Sequence, residues 1–460
     1  MEFKLLKNNT PLFDAFSDLG KRIFLPDGIF HWSGRAKKEA EIIGTIGTAY
    51  GFEKDFIEGG SDKWAPLYLD TFKNYTSLDI SSVVPYASIG GLSELRKKWK
   101  EWIVYKSGYD KEKDAKKIER LQQLTTLPVV TQGITNGLFM TGSLFLNPGD
   151  YIISPNKRWG NYDNIFSKNI NAQFKSFDFF KDKKFDLNSF EVTIKNVAEE
   201  QDKIVIALNF PNNPTGYTPL KSERDAIVQK LSDVQKDIDL PIIVLVDDAY
   251  EPYVYDDQAM EHSLFYELME LDENIIPIKL DGISKELLAY GGRVGFVTIG
   301  LKPSWVESDG ELEQLKEELN NKLEGMNRSS ISNTNHFYQA VTLKMFEETG
   351  FDKIVQKREK NRKLLKDRYE LINKELKKVE SDQFSVDPNS GGFFLFINLD
   401  PEKINATDFA DHLLREYKVG VIPIEKPEIN INGIRIAYCS IDIEKIPEMI
   451  QRIIQAFNDY

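Results

Sequence analysis

From Leu127 onward, short and almost wholly apolar runs alternate with helix-periodic stretches. Pro128-Val129-Val130-Thr131, Tyr151-Ile152-Ile153-Ser154, Lys203 to Leu208, Pro241 to Val246 and Ile276 to Leu280 read as strands, too uniformly apolar to face water on one side. Between them lie an apolar helix that opens at Gly133 and ends at Asn147-Pro148-Gly149, and a second helix from Lys221 to Asp237. Strands separated by helices predict an α/β fold: a largely parallel sheet covered on both faces, with ligands gathered beyond the carboxyl ends of its strands. Upstream, Arg35 to Ile43 and Ser93 to Tyr105 are helix-periodic, and Ser93 is placed to cap the second of these. After about residue 300 the character changes. Glu311 to Glu324 and Lys344 to Lys378 are charge-rich helices, the latter broken near Gly350, while Gly391 to Ile397 and Ile431 to Ala437 predict strands of a second, smaller sheet.

Composition narrows the function classes. The 460 residues are 41% hydrophobic, enough for two or three domains' worth of core. No run of eighteen apolar residues occurs, and Met1-Glu2-Phe3-Lys4 lacks the basic-then-apolar pattern of a signal peptide, so a cytoplasmic protein is expected. The single cysteine, Cys439, and four scattered histidines show no ligand spacing, which argues against a metal site or a Cys/His nucleophile pair. A formal charge of −13 argues against a nucleic-acid partner. A small anion must then find positive charge locally, at a helix N-terminus or at single cations. The lysines of Lys111 to Arg120 are interleaved with acids and read as a solvated helix face.

The candidate chemistry sits at the strand ends. Ile276 to Leu280 leads through Gly282 into Ser284-Lys285-Glu286, followed eight residues after Lys285 by Arg293 in Gly291-Gly292-Arg293-Val294-Gly295. An ammonium beside apolar surface and a second cation loses its proton more easily, which makes Lys285 a candidate amine nucleophile; the segment by itself is more the pattern of a solvated loop lysine in a Ser-Lys-Glu turn, and the nucleophile reading comes from the company it keeps. Asp247 closes six nearly pure aliphatic residues, and a carboxylate there needs a cationic or hydrogen-bonding partner unless it caps a following helix. The turn Gly133-Ile134-Thr135 between strand and helix points backbone N–H groups at one spot, a phosphate cradle in principle. Arg435, within an apolar strand, needs an anion, either a protein carboxylate or that of a substrate. Gly47 either makes a turn or lets backbone approach a ligand. No Walker or Rossmann spacing is present.

Taken together these features resemble the class I pyridoxal-phosphate-dependent aminotransferases of fold type I, the aspartate and aromatic group. Asn212-Asn213-Pro214-Thr215-Gly216 is similar to that family's Asn-Pro-Thr-Gly loop, Asp247-Asp248-Ala249-Tyr250 to its Asp-x-Ala-Tyr, Ser284-Lys285 with Arg293 to its lysine and arginine, and Trp159-Gly160-Asn161-Tyr162 to its ring-stacking segment. The resemblance implies a large domain with a mostly parallel seven-stranded sheet, at 61–330, and a smaller α+β domain at 331–460 that shares residues 1–60 as arm and partial domain. It implies pyridoxal 5′-phosphate as cofactor and a ping-pong transfer of an amino group from an amino acid to a 2-oxo acid through a Lys285 aldimine. By the same resemblance Asp247 pairs with the ring nitrogen, Trp159 stacks on the ring, and Asn213 and Tyr250 bind its phenolate oxygen. Arg293, Thr135 and the backbone amides following Gly133, from Ile134 on, hold the phosphate, with Tyr86 reaching it from the other subunit of a homodimer, and Ser284 also belongs to the cofactor site. Arg435, Gly47 and Asn213 take the substrate carboxylate. Two positions depart from the family pattern: Gly282, where relatives have a Ser or Thr phosphate ligand, and Glu286, where an Asn often follows the lysine. An alternative within the same cofactor chemistry is β-elimination or a ring-forming lyase reaction like that of aminocyclopropane-carboxylate synthases. A regulator built on this fold carries a DNA-binding domain, for which the first sixty residues are too few and not distinctly basic.

Overall fold

The computed structural model describes residues 13–23, 27–74, 78–271, 274–379 and 384–460; part of the expected N-terminal arm, residues 1–12 and 24–26, lies outside these. The apolar runs become the strands of one seven-stranded sheet: β1 (Val129–Thr131), β2 (Tyr151–Pro155), β3 (Gln173–Phe177), β4 (Ile204–Asn209), β5 (Ile242–Asp247), β6 (Ile275–Gly282) and β7 (Gly295–Ile299). Their order is β1-β7-β6-β5-β4-β2-β3. All neighbours run parallel except β7, which is antiparallel to both β6 and β1. The apolar pattern does not single out β3 or β7. In β3 only Phe177 is buried, so an edge strand of mixed polarity carries no continuous apolar signal.

Register puts the functional ends level. Asp247 lies opposite Asn209 on one side and Leu280 on the other, so β4, β5 and β6 deliver their following loops to one edge of the sheet. The aliphatic side chains of Ile242 to Val246 are buried throughout, each contributing about 1.5–3 kcal/mol of burial free energy. Two helices sandwich the centre of the sheet. On one face α2 (Gly133–Phe145) approaches closely at Gly137, where an added Cβ would stand 2.9 Å from Leu280 Cδ2. On the other face α1 (Ser93–Lys106) stacks Trp99 on Phe296 of β7 at 3.9 Å between ring centroids. Because side chains alternate along a strand, Leu280 turns toward α2, whereas Asp281 turns toward α1 and accepts the Trp99 indole N–H at 2.9 Å.

Ser93 does not cap α1. Leu92 occupies the capping position, and its N–H is satisfied from elsewhere in the chain by Gln339 Oε1 at 2.8 Å, so a tertiary contact replaces the local one. The helix-periodic segment near Arg35 ends at Glu39, and Ile42–Ile43 instead pairs in parallel with Val419–Gly420, tying the N-terminal region to the second sheet's surroundings.

That second sheet is antiparallel and four-stranded: β8 (Phe384–Val386), β9 (Leu395–Leu399), β10 (Ile422–Lys426) and β11 (Ile431–Ile436), in the order β8-β9-β11-β10. The strand expected from Gly391 begins only at Leu395. Gly391 N–H and Gly392 N–H donate to Gly216 O and Tyr253 O rather than to a sheet neighbour, so their backbone groups belong to the junction between the two sheets. Three long helices, α3 (Asp309–Ser330), α4 (His336–Thr349) and α5 (Phe351–Leu376), follow the central sheet, with Gly350 at φ +79° separating the last two. Among the described residues no helix is long and apolar enough to cross a membrane.

Candidate active site

Lys285 stands in the turn that follows β6, in the short helical segment Ile283–Glu286. It is half-buried. Its ammonium donates to Gly47 O, with the Tyr290 ring centroid 4.9 Å away and that of Phe393 5.8 Å away. Burial lowers its pKa to about 8, Arg293 and Arg435 adding to the effect and Cys439 opposing it. The carbonyl of Lys285 accepts the Tyr253 hydroxyl at 2.9 Å, which fixes the backbone of the turn. Gly47 has no room for a side chain: a Cβ would lie 2.8 Å from Phe394 Cζ and 4.0 Å from the Lys285 amine. Gly47 lies in a bend, and its backbone passes close to both Phe394 and the Lys285 amine.

Asp247, at the end of β5, is buried. Burial raises its carboxyl to about 6, against the opposing pull of two donors, the Tyr162 hydroxyl at 2.7 Å and the Ala249 N–H at 3.2 Å. No protein cation pairs with it among the described residues. Its carbonyl accepts Asn209 Nδ2 at 2.8 Å, and Asn209 Oδ1 in turn accepts the N–H of Asn213 at 2.9 Å, so β4 orients the loop that carries Asn213. Trp159, half-buried, meets Tyr162 edge-on at 5.8 Å.

A second group of residues forms a cup. Gly133, Ile134 and Thr135 are the first residues of α2, where backbone N–H groups lack intrahelical acceptors. Gly133 has φ +73°, and a Cβ there would lie 2.6 Å from Arg293 Nη2. The Arg293 guanidinium is thus laid across the start of α2, with Ser284 Oγ 3.4 Å from its Nη1. Burial lowers its pKa. Among the described residues no carboxylate pairs with it. Gly282, which lacks the hydroxyl of the resembled pattern, has none because it cannot carry a side chain: a Cβ would stand 2.6 Å from Val294 O and 2.8 Å from Gly295 Cα.

Arg435, on β11, comes from the second sheet. It is buried, donates to Asn213 Oδ1 at 3.2 Å and to Thr45 O at 2.9 Å, and lies over the Phe394 ring at 4.4 Å. Burial lowers its pKa to about 10. Its Nε is buried with no hydrogen-bond partner among the described residues, and no protein carboxylate answers it there. Tyr250, also buried, shares a hydrogen bond with the Asn213 side chain; burial raises its pKa. Tyr86, in contrast, is 90% exposed and joins none of these groups. The residues that sequence reasoning passed over are Tyr162, within a quoted motif but given no role, and Tyr290, whose hydroxyl accepts the Ala49 N–H at 3.2 Å.

A model of the family described as "Aminotransferase class I and II" matches residues 70–453. The chain belongs to that family. It is similar to the aspartate aminotransferase of Sulfolobus acidocaldarius, 24% identical over 383 residues that cover 81% of this chain and 82% of the relative. It is also similar to the tyrosine aminotransferase of Dictyostelium discoideum, 24% identical over 71% of this chain and 72% of the relative. Among solved structures, an aminotransferase from Anaerococcus prevotii superposes with a TM-score of 0.77 at 24% identity, covering 96% of this chain and 99% of that one. The kynurenine aminotransferase of Pyrococcus horikoshii superposes with a TM-score of 0.74 at 19% identity, covering 97% of each chain.

The aminotransferase is a pyridoxal-phosphate-dependent enzyme, and its own residues fit that cofactor. A helix start crossed by an acid-free guanidinium suits a phosphate. A buried carboxylate without a protein cation suits a protonated ring nitrogen. An amine with a lowered pKa suits an aldehyde.

Proposed function

We propose that this aminotransferase moves the amino group of an amino acid to a 2-oxo acid in the cleft at the carboxyl ends of β5 and β6, using the residues just described. The observation that supports this reading best is the set of buried or half-buried ions without counter-ions among the described residues: Asp247, Arg293 and Arg435, each set to meet one charged part of cofactor or substrate. When bound, pyridoxal phosphate supplies an aldehyde for the amine and a ring that accepts electrons from the substrate Cα.

The protein side is then specific. Lys285 would hold the cofactor at its aldehyde and, as a free amine, would move the proton at the substrate Cα; its lowered pKa keeps part of it unprotonated near neutrality. Asp247 holds the proton on the ring nitrogen, with Tyr162 and Ala249 orienting its carboxylate. Gly133, Ile134, Thr135, Ser284 and Arg293 hold the phosphate, and Trp159 covers the ring. Asn213 and Tyr250 bind the ring oxygen. Arg435 takes the substrate carboxylate in a bidentate pair beside Asn213 and Gly47, which satisfies its Nε.

We also assign 61–330 to a cofactor-binding domain and 331–460, with part of 1–60, to a smaller one. The functional unit is a homodimer in which Tyr86 of each subunit serves the phosphate of the other. The exposure of Tyr86 beside Ile80 and Val84, both large, apolar and exposed, supports this reading.

A single-turnover experiment tests the reaction. The enzyme is loaded with pyridoxal phosphate and given an amino acid without a 2-oxo acid acceptor. Release of one equivalent of 2-oxo acid per site, resuming only when an acceptor is added, is the expected result. Continuous 2-oxo acid with release of ammonia marks an elimination instead and overturns the proposal.

A further inference from the structure

Each of three site residues is followed directly by an acid: Asp247 by Asp248, Tyr250 by Glu251, and Lys285 by Glu286. These acids meet on the α1 side of the central sheet, behind the cleft. Asp281 and Lys279 of β6 join them there, because residues two apart on a strand share a face. At the centre is Lys106, the last residue of α1, its side chain 7% exposed. Its ammonium lies 2.8 Å from Asp281 Oδ2, 2.8 Å from Glu286 Oε2 and 3.0 Å from Glu251 Oε2.

The other valences are also filled. Lys279 donates to Asp248 and, at 2.9 Å, to Glu251. Trp102 Nε1 donates to Glu286 at 2.6 Å and Trp99 Nε1 to Asp281 at 2.9 Å. The Ser263 hydroxyl donates to Asp248 at 2.6 Å, and Arg358 lies 3.7 Å from Glu286. The carboxylate oxygens of Glu251, Asp281 and Glu286 lie within 4.8 Å of one another, a cage that would suit a metal ion but that the Lys106 ammonium fills. Three acids so close stay together only around a cation, and buried ion clusters fix one arrangement of the backbone segments that bear them.

We propose that Lys106 is a positioning residue for the active site: its ammonium ties the segments bearing Tyr250 and Lys285 to β6 from the opposite side of the sheet, and so holds the Lys285 amine at Gly47. Lys106 touches none of the reacting groups. It acts through Glu286 and Glu251, one residue beyond Lys285 and Tyr250. The departure at Glu286 acquires a reason here, since the residue after the nucleophile is the one that reaches Lys106. The kinetic part of the test rests on the aminotransferase reading, and the labelling part does not.

The test compares wild type, Lys106→Met, Lys106→Arg and Glu286→Gln. In cofactor-free protein, the pH dependence of acetylation at Lys285 is followed by mass spectrometry, together with tryptophan emission. In the loaded enzyme, kcat and KM are measured. For Lys106→Met the labelling midpoint moves from about 8 up toward the ordinary lysine value of about 10.4, as the freed turn lets the amine reach water. The emission of Trp99 and Trp102 shifts. Misplacement of the nucleophile lowers kcat on the order of tenfold to a hundredfold, with KM within about threefold of wild type. Lys106→Arg, which restores the cation, recovers most of kcat and of the labelling midpoint.

A folded Lys106→Met with an unchanged labelling midpoint and unchanged kcat overturns the proposal. Should Lys106→Met fail to fold, Glu286→Gln decides: it keeps its size and the oxygen that accepts from Trp102, a smaller upward shift of the midpoint is expected, and none overturns the proposal. A wild type without transaminase activity defeats the functional reading alone, because the labelling comparison still reports on Lys106.

Discussion

The Tyr162 hydroxyl donates to Asp247 Oδ2 at 2.7 Å, both side chains being buried. The bond favours the ionised carboxylate, which burial alone disfavours. In Tyr162→Phe the carboxyl therefore rises further above about 6, and the grip on a protonated ring nitrogen weakens. Loss of a hydrogen bond to a charged group costs about 1.5–3 kcal/mol, so cofactor affinity, measured by fluorescence titration, falls about tenfold or more.

Gly133→Ala attacks the other end of the cofactor. The new Cβ meets Arg293 Nη2 at 2.6 Å, and φ +73° adds strain of about 1–2 kcal/mol. Affinity for pyridoxal phosphate drops about tenfold or more. Binding of pyridoxal, which has no phosphate, stays close to wild type, and the ratio of the two dissociation constants checks the assignment.

Arg435→Lys keeps a positive charge but not the planar fork. Its bond to Asn213 Oδ1 and the unanswered Nε both go. KM for the amino acid rises on the order of tenfold to a hundredfold while cofactor binding is unchanged, as steady-state kinetics and titration will show.

The lowered pKa of Lys285 has a sign that can be checked on stability. The folded protein keeps this proton only below about 8, whereas the unfolded chain keeps it up to about 10.4. Between those values the unfolded state binds more protons, so this group destabilises the fold at neutral pH and the penalty fades as pH rises through the window. In cofactor-free protein, Lys285→Met abolishes that contribution: its denaturation midpoint exceeds that of wild type at pH 7, and the gap narrows toward pH 10. Calorimetry across pH measures both.

Much of this architecture is legible from the chain because buried parallel strands are written as unbroken apolar runs. Ile204 to Leu208 and Ile242 to Val246 announce themselves, and the candidate chemistry follows them, in the loop at Asn213 and directly at Asp247. Strand direction is not written that way, so β7 and its antiparallel pairing with β6 and β1 come only from the fold. Ser93 looks like a cap by local rules, but Gln339, far along the chain, supplies the acceptor. The cluster bonds Lys106 to Glu286, 180 positions away, beyond the reach of any local pattern. One signal for it exists: Lys279 and Asp281 alternate inside an otherwise apolar strand, and buried charges there require partners from another element.

The junction at Gly391 and Gly392 constrains how the molecule can flex. Ser390 N–H and Gly391 N–H both bond to Gly216 O, Gly392 N–H bonds to Tyr253 O, and Ser390 Oγ bridges the N–H and carbonyl of Thr218. These bonds pin the entry to the four-stranded sheet against the loops that follow the larger one, so relative displacement at this junction would break main-chain hydrogen bonds. Phe393 and Phe394 sit immediately beyond that junction and Arg435 on the strand pairing with Phe396. Any movement of that junction would therefore be felt at Phe393, Phe394 and Arg435 before it reached the turn at Gly133.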